Sequence, residues 1–245
     1  LRDKRHTFDT TPWPTHVTLE NFNDALATDK GNNFLGAIGN SLIISLTTTV
    51  LAVLVGVFTA YALTRLDFPG KGIITGVILA ASMFPGIALV TPLFQLFGDL
   101  GWIGTYRAMI IPNISFALPL TVYTLISFFQ QLPWELEEAA RVDGATRGQA
   151  FRLVLLPLAA PAIFTTAIIA FITTWNEFML ARQLSTTATE PVTVAIARFS
   201  GPSAFEYPYA AIMAAGSLVT VPLIIMVLIF QRRIVDGLTA GGVKG

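Results

Sequence analysis

The sequence predicts an all-α membrane protein, a polytopic helical bundle with five visible transmembrane helices. Three observations carry that prediction. Charged residues make up only 12% of the 245-residue chain and hydrophobic residues 53%, whereas a soluble domain carries about 25% charged residues. Five uncharged apolar stretches stand out: Ile38 to Thr64, Gly72 to Gly98, Ala108 to Trp134, Leu153 to Asn176 and Tyr207 to Gln231. Each meets the roughly 20 residues needed to cross a bilayer core. Finally, the basic residues of the connections alternate between a richer and a poorer side, as they do when cytoplasmic loops retain positive charge.

Taken in order, residues 1–37 form a lead segment. Its opening, "LRDKRHTFDTTPWP", is polar and proline-rich and has no cleavable-signal pattern. The five spans must be helices, because a segment crossing lipid has to satisfy its own backbone hydrogen bonds. Arg65 and Lys71, then Arg141, Arg147 and Arg152, then Arg232, Arg233 and Lys244 fall on one side. That side is assigned to the cytoplasm, which leaves the lead segment outside, against the grain of Arg2, Lys4 and Arg5. The conflict implies an earlier span upstream of residue 1, a sixth in all; an intact external N-terminus without one would refute it. The resulting organisation is a transmembrane region 38–235, a cytoplasmic loop 133–157, an extracytoplasmic loop 183–206 and a cytoplasmic tail 236–245. Pro85, Pro92, Pro112, Pro119, Pro157, Pro161 and Pro222 lie in or beside spans, where each removes a backbone donor and favours a kink. "AAIMAAGS" (Ala210 to Ser217) offers small residues for close helix contact.

The charged passage "PWELEEAARVDGATRGQAFRLVLLP" (Pro133 to Pro157) reads as helix, turn, helix. Pro133 suits the first helical turn, and Glu135, Glu137 and Glu138 follow near the positive helix end, with Arg141 towards the negative end. Glu137 and Arg141 stand four apart in the favourable order. Gly144 can take the left-handed conformation that stops a helix, and Thr146 with Gln149 matches a capping box for the next helix. Ala139 and Ala140 give a smooth face, with Leu136 and Val142 as apolar contacts. A helix lying on lipid headgroups is disfavoured, because three clustered glutamates are repelled by an anionic leaflet.

The chemistry of the chain is bounded by what it lacks. Zero net charge gives no hint of nucleic acid, and no cysteine is available for disulfide or thiolate chemistry. No G-x-x-x-x-G-K-[ST], H-E-x-x-H or G-x-S-x-G pattern occurs, so the expectation is no enzyme, no catalytic residue, no metal and no cofactor of its own. His6 and His16 both fall in the lead segment. Glu177, in "TTWNEFML" at the end of the fourth visible span, is the ionisable group to weigh. A proton-coupled secondary transporter could use it; the reading preferred here is an interfacial residue beside the aromatic anchor Trp175. Polar and aromatic groups that could line a pathway through the otherwise apolar bundle are Asn113, Ser115, Tyr123, Thr124, Thr173, Thr174, Trp175, Asn176 and Glu177.

"EEAARVDGATRGQAFRLVLLPLAAP" resembles the EAA loop of permease subunits in bacterial ATP-binding-cassette importers, whose pattern is E-A-A-x-x-x-G followed by a hydrophobic-x-L-P ending. "NSLIISLTTTVLAVLVGVFTAYALTRLDFPGK", "MFPGIALVTPLF", "TWNEFMLA" and "QRRIVDGLTAGGVKG" extend the likeness to the carbohydrate branch, and nearly over the whole chain. The C-terminal half resembles permeases of mycobacterial trehalose importers, which implies trehalose, with maltose-like disaccharides next. The resemblance implies the type I importer permease (MetI-like) fold. It also implies that Glu138, Ala139, Ala140, Asp143, Gly144, Ala145 and Pro157 face an ATPase subunit. Gly241, Gly242 and Lys244 of the tail are implied to touch that ATPase as well. The implied partners are a second homologous permease, an ATPase dimer that uses ATP and Mg, an extracytoplasmic sugar-binding (lipo)protein and membrane lipid, in a bacterial inner membrane.

Overall fold

The computed structural model describes residues 10, 13, 17–26, 33–199 and 208–242, with side chains described as far as residue 229. Lys244, together with His6 and His16, lies outside the described residues. The described chain is helical: α1 (Glu20–Leu26), α2 (Phe34–Arg65), α3 (Lys71–Ser82), α4 (Val90–Asp99), α5 (Tyr106–Gln131), α6 (Glu135–Val142), α7 (Arg147–Ala150), α8 (Leu156–Trp175), α9 (Met179–Leu184), α10 (Val192–Ala197) and α11 (Tyr209–Gly242). A π turn, Phe151–Leu155, joins α7 to α8. Four of the described helical stretches are long and apolar enough to cross a membrane: Phe34–Arg65, Tyr106–Gln131, Arg147–Trp175 and Tyr209–Ile229.

The stretch Gly72 to Gly98 is where expectation and structure part. Instead of one straight span, α3 and the Gly86–Asp99 helix meet at a bend of 87°. Pro85 accounts for the break: its ring pushes the preceding residue out of the helical region and removes a donor. Pro92 does not break α4, because it stands in the first turn, where amide donors have no intrahelical partner. Pro112, Pro119, Pro161 and Pro222 all lie inside continuous helices. The lead segment also departs from expectation, since it contains α1 and gives way to α2 at Phe34, four residues before Ile38.

The chain divides into two compact units. One holds residues to Ser45, Ile87–Met109 and Trp175–Met226; the other holds Leu46–Gly86, Ile110–Thr174 and residues from Val227 onward. In the second unit, α2, α5 and α8 approach through small residues, with Ala52, Ala117 and Ala170 buried together. A Cβ on Gly56 would come within 2.6 Å of the Thr121 methyl, so glycine is what lets α2 and α5 come this close. Between lipid-immersed helices no hydrophobic effect drives association, and such close packing supplies the attraction instead. Val57, Ala60, Leu125, Phe129, Phe151, Leu155 and Ala159 form a second core in the same unit. The flanks are the reverse of a soluble protein: Ile73, Val77, Phe58, Ile229 and Leu228 are all more than half exposed. In the first unit, Ala214 and Ala215 of the small-residue patch are buried.

Candidate functional site

The elbow from Pro133 to Pro157 is built by local rules. Glu137 and Glu138 donate their amides to the Trp134 carbonyl at 3.0 and 3.2 Å, so Trp134 is the N-cap of α6 and Pro133 stands ahead of the helix rather than in its first turn. The helix ends in a Schellman arrangement. The Ala145 amide donates to the Ala140 carbonyl at 2.9 Å and the Gly144 amide to Arg141 at 3.1 Å. Gly144 takes φ +92°, as expected of a left-handed terminator. Thr146 then caps α7: its hydroxyl accepts from the Gln149 amide at 3.3 Å, and the Gln149 side chain accepts from the Thr146 amide at 2.8 Å. Leu156 donates to the Phe151 carbonyl, closing the π turn immediately before Pro157. That extra residue accommodates a proline the regular ladder would reject.

Two faces result. Glu138, Ala139, Arg141, Val142, Asp143 and Gly144 are exposed, and Ala140 and Ala145 are half-buried; Val142 reaches 86% exposure. Glu137 points the other way. It is 6% exposed, and its Oε1 accepts from the Tyr61 hydroxyl of α2 at 3.2 Å. The sequence pairing of Glu137 with Arg141 is therefore replaced by an inward contact, and Arg141 stays on the exposed face. One turn along α2, buried Arg65 donates through Nη2 to the carbonyls of Phe129 and Leu132, at 3.0 and 2.6 Å. Its guanidinium lies 4.3 Å from the centre of the Trp134 ring. A cation against the carbonyl end of α5 is favourable on the helix dipole. Phe151 packs on Tyr61 at 4.4 Å. Sequence reading assigned Arg65 only to topology and passed over Tyr61; the signal for both was their i, i+4 spacing at the end of α2.

The pathway candidates divide between the two units. On α5, Asn113 is buried and Tyr123 is 52% exposed. In the same unit a cleft between α5 and α8 is lined by Phe116, Thr121, Thr124, Thr166 and Thr173, among others. In the other unit, Trp175 is buried and Asn176 exposed. Glu177 caps α9, its Oε1 accepting from the Leu180 amide at 2.7 Å and its Oε2 from Ala181 at 2.9 Å. Its carbonyl accepts from the Thr193 hydroxyl at 2.7 Å. Burial raises its carboxyl above the ordinary range, opposed by the amides of Leu180, Ala181, Met179 and Phe178. A carboxyl committed to capping fits the interfacial reading better than a proton relay.

Also in that unit, the loop after α9 is pinned to α2. Asn40 Nδ2 donates to the carbonyls of Ala188 and Glu190 at 3.1 and 3.0 Å, and its Oδ1 accepts from the Tyr106 hydroxyl at 2.6 Å. Ser41 Oγ accepts from the Val192 amide at 2.9 Å. Arg198 pairs with Glu190 at 2.6 Å. Gly104, at φ +78°, donates to the Leu184 carbonyl at 2.8 Å and leaves no room for a Cβ beside Thr186.

Comparison with known proteins places these features in company. Residues 52–239 match the family described as binding-protein-dependent transport system inner membrane component. The trehalose transport system permease protein SugB of Mycobacterium tuberculosis is 50% identical over 233 residues, covering 95% of this chain and 84% of that protein. The trehalose/maltose transport system permease protein MalG of Thermococcus litoralis is 43% identical over 229 residues, covering 93% and 82%. Among solved structures, a bacterial ABC transporter that imports the acidic polysaccharide alginate has a chain that superposes with a TM-score of 0.73 at 22% identity. The match covers 90% of this chain and 81% of that one, a likeness of fold.

Proposed function

The chain belongs to the family of binding-protein-dependent transport system inner membrane components, and from that premise we infer that it is the permease subunit of an ATP-driven sugar importer. The cargo is trehalose or a related disaccharide. The observation that carries this is 50% identity to a trehalose permease over 95% of the chain. The chain would form half of the pathway, beside a second homologous permease. An ATPase dimer that uses ATP and Mg docks on the cytoplasmic side, and an extracytoplasmic sugar-binding protein delivers the cargo.

The ATPase contact is formed by Glu138, Ala139 and Ala140 of α6 and by Asp143, Gly144 and Ala145 of the turn that follows it, with Pro157 setting the exit of the elbow. Small side chains at its centre let a groove close tightly around it. The Schellman turn and the capping box make the elbow stiff, so a push from the ATPase moves α8 rather than deforming the connection. ATP binding draws the coupling helices together and opens the cavity outward; hydrolysis resets it. The tail residues Gly241, Gly242 and Lys244 add a second contact with the ATPase. For the sugar, Tyr123 and Asn176 are the exposed candidates, with Asn113 supporting from within α5 and Trp175 and Glu177 holding the local frame.

Reconstituted with its partners in liposomes, the complex is expected to take up trehalose only with internal ATP and external sugar-loaded binding protein, and to be indifferent to a protonophore. Glu177→Gln, which keeps one capping oxygen, should retain uptake within about fivefold. Uptake abolished by the protonophore and by Glu177→Gln, with no need for ATP, would establish the proton-coupled carrier instead.

A further inference from the structure

The exposed and buried faces of α6 divide its glutamates between two tasks. Glu138 is on the outer face, while Glu137, its neighbour, is buried against α2. Burying a carboxyl and a guanidinium is costly unless their polar atoms are paired. Here the investment is only partly met: Glu137 Oε2 and Arg65 Nε and Nη1 have no hydrogen-bond partner. A hydrophobic pair would hold the helix against α2 more cheaply, so these groups are not explained by stability alone. What they provide is direction. The Tyr61 to Glu137 bond fixes α6 to α2. Arg65 fixes α2 to the α5–α6 connection, through the carbonyls of Phe129 and Leu132 and the Trp134 ring. The rings of Tyr61, Phe151 and Phe58 close the arrangement over the π turn.

We propose that Tyr61, Arg65 and Glu137 are positioning residues that latch the ATPase-facing helix to α2, so that displacement of α6 is passed to α2 as well as along the chain into α8. This rests on the importer reading above. The sequential route through Gly144 and the capping box reaches α8 alone; the latch adds a second, sideways route. Glu137 thus acts through Tyr61 and makes no contact with the ATPase.

The test uses the full importer, purified and reconstituted, with uptake per ATP hydrolysed as the readout. Tyr61→Phe removes one hydroxyl and Glu137→Gln alters the buried acid without changing its volume. Each is expected to lower uptake per ATP by about tenfold, the worth of one hydrogen bond to an ionisable group, while the ATPase still copurifies and hydrolyses ATP. Equal loss of uptake and hydrolysis, or an unchanged ratio, overturns the latch, as does loss of ATPase copurification in Glu137→Gln. Because the chain has no cysteine, a Tyr61→Cys/Glu137→Cys double variant can be bridged by a thiol reagent spanning the two side chains. Bridging is expected to restore the ratio lost in the unbridged variant, a recovery no simple packing role would produce; a bridge that leaves it low refutes the proposal. Gly144→Val serves as the reference arm. If it uncouples while Tyr61→Phe does not, the latch fails alone. If the wild-type chain retains no ATPase, the importer reading fails with it.

Discussion

Gly144→Val is expected to reduce sugar uptake by roughly a hundredfold while the membrane subunit still folds and its ATPase still turns over. Gly144 sits at φ +92°, where a side chain costs about 1–2 kcal/mol and a β-branched one more. Two backbone hydrogen bonds, Ala145 to Ala140 and Gly144 to Arg141, depend on that conformation, and each is worth about 1 kcal/mol. Together they bring the cost to about 3 kcal/mol, close to a hundredfold in the population of the native elbow. A Cβ at this position meets nothing within 4 Å, so the penalty within the chain is conformational and not steric. A graded series separates the two causes. Asparagine tolerates the left-handed region better than alanine does, so Gly144→Asn should transport better than Gly144→Ala despite its larger side chain. The opposite order would mean that the side chain collides with the docked ATPase.

Asn40→Leu should be the most damaging substitution in the other unit. The Asn40 side chain makes three hydrogen bonds, donating to Ala188 and Glu190 and accepting from Tyr106, and the residue is 8% exposed. Leucine keeps the branching and heavy-atom count but is bulkier, and it leaves two carbonyls and a hydroxyl facing an apolar group, at about 1 kcal/mol or more each. A loss of roughly 3 kcal/mol follows, with a thermal midpoint lowered by on the order of 5–10 °C. The segment from Ser185 to Phe199 should become sensitive to limited proteolysis before the rest of the chain. The Arg198 to Glu190 pair across the same loop should matter less, because Arg198 is 35% exposed and water screens the pair from that side, although Glu190 is only 11% exposed.

These two sites differ in how far the sequence announces them. The elbow is local. Gly144, Thr146 and Gln149 act on backbone groups within five residues, and their conformation follows from chain chemistry that any reader of the sequence can apply. Four of the five apolar stretches were equally legible as long helices, since lipid imposes length and composition on them. What could not be read is whatever depends on distant residues. Nothing in "WELEEAAR" says that Glu137 turns inward while Glu138 turns out; that is decided by Tyr61, 76 residues earlier. Asn40 meets Glu190 across 150 residues, and a single asparagine in an apolar stretch gives no sign of its partner. The bend between α3 and α4 was visible only as one proline among seven. Pro112 and Pro119 are absorbed within α5, whereas Pro85 breaks its helix.

The most direct test of the coupling account is cross-linking of the elbow to the ATPase. Val142 is 86% exposed on α6, and the chain offers no competing thiol. A single Val142→Cys in the assembled importer, treated with a short thiol-reactive cross-linker, should join the permease to the ATPase subunit. The yield should change between the nucleotide-free and the ATP-bound complex. Absence of any cross-link to the ATPase, in every nucleotide state, would contradict the account.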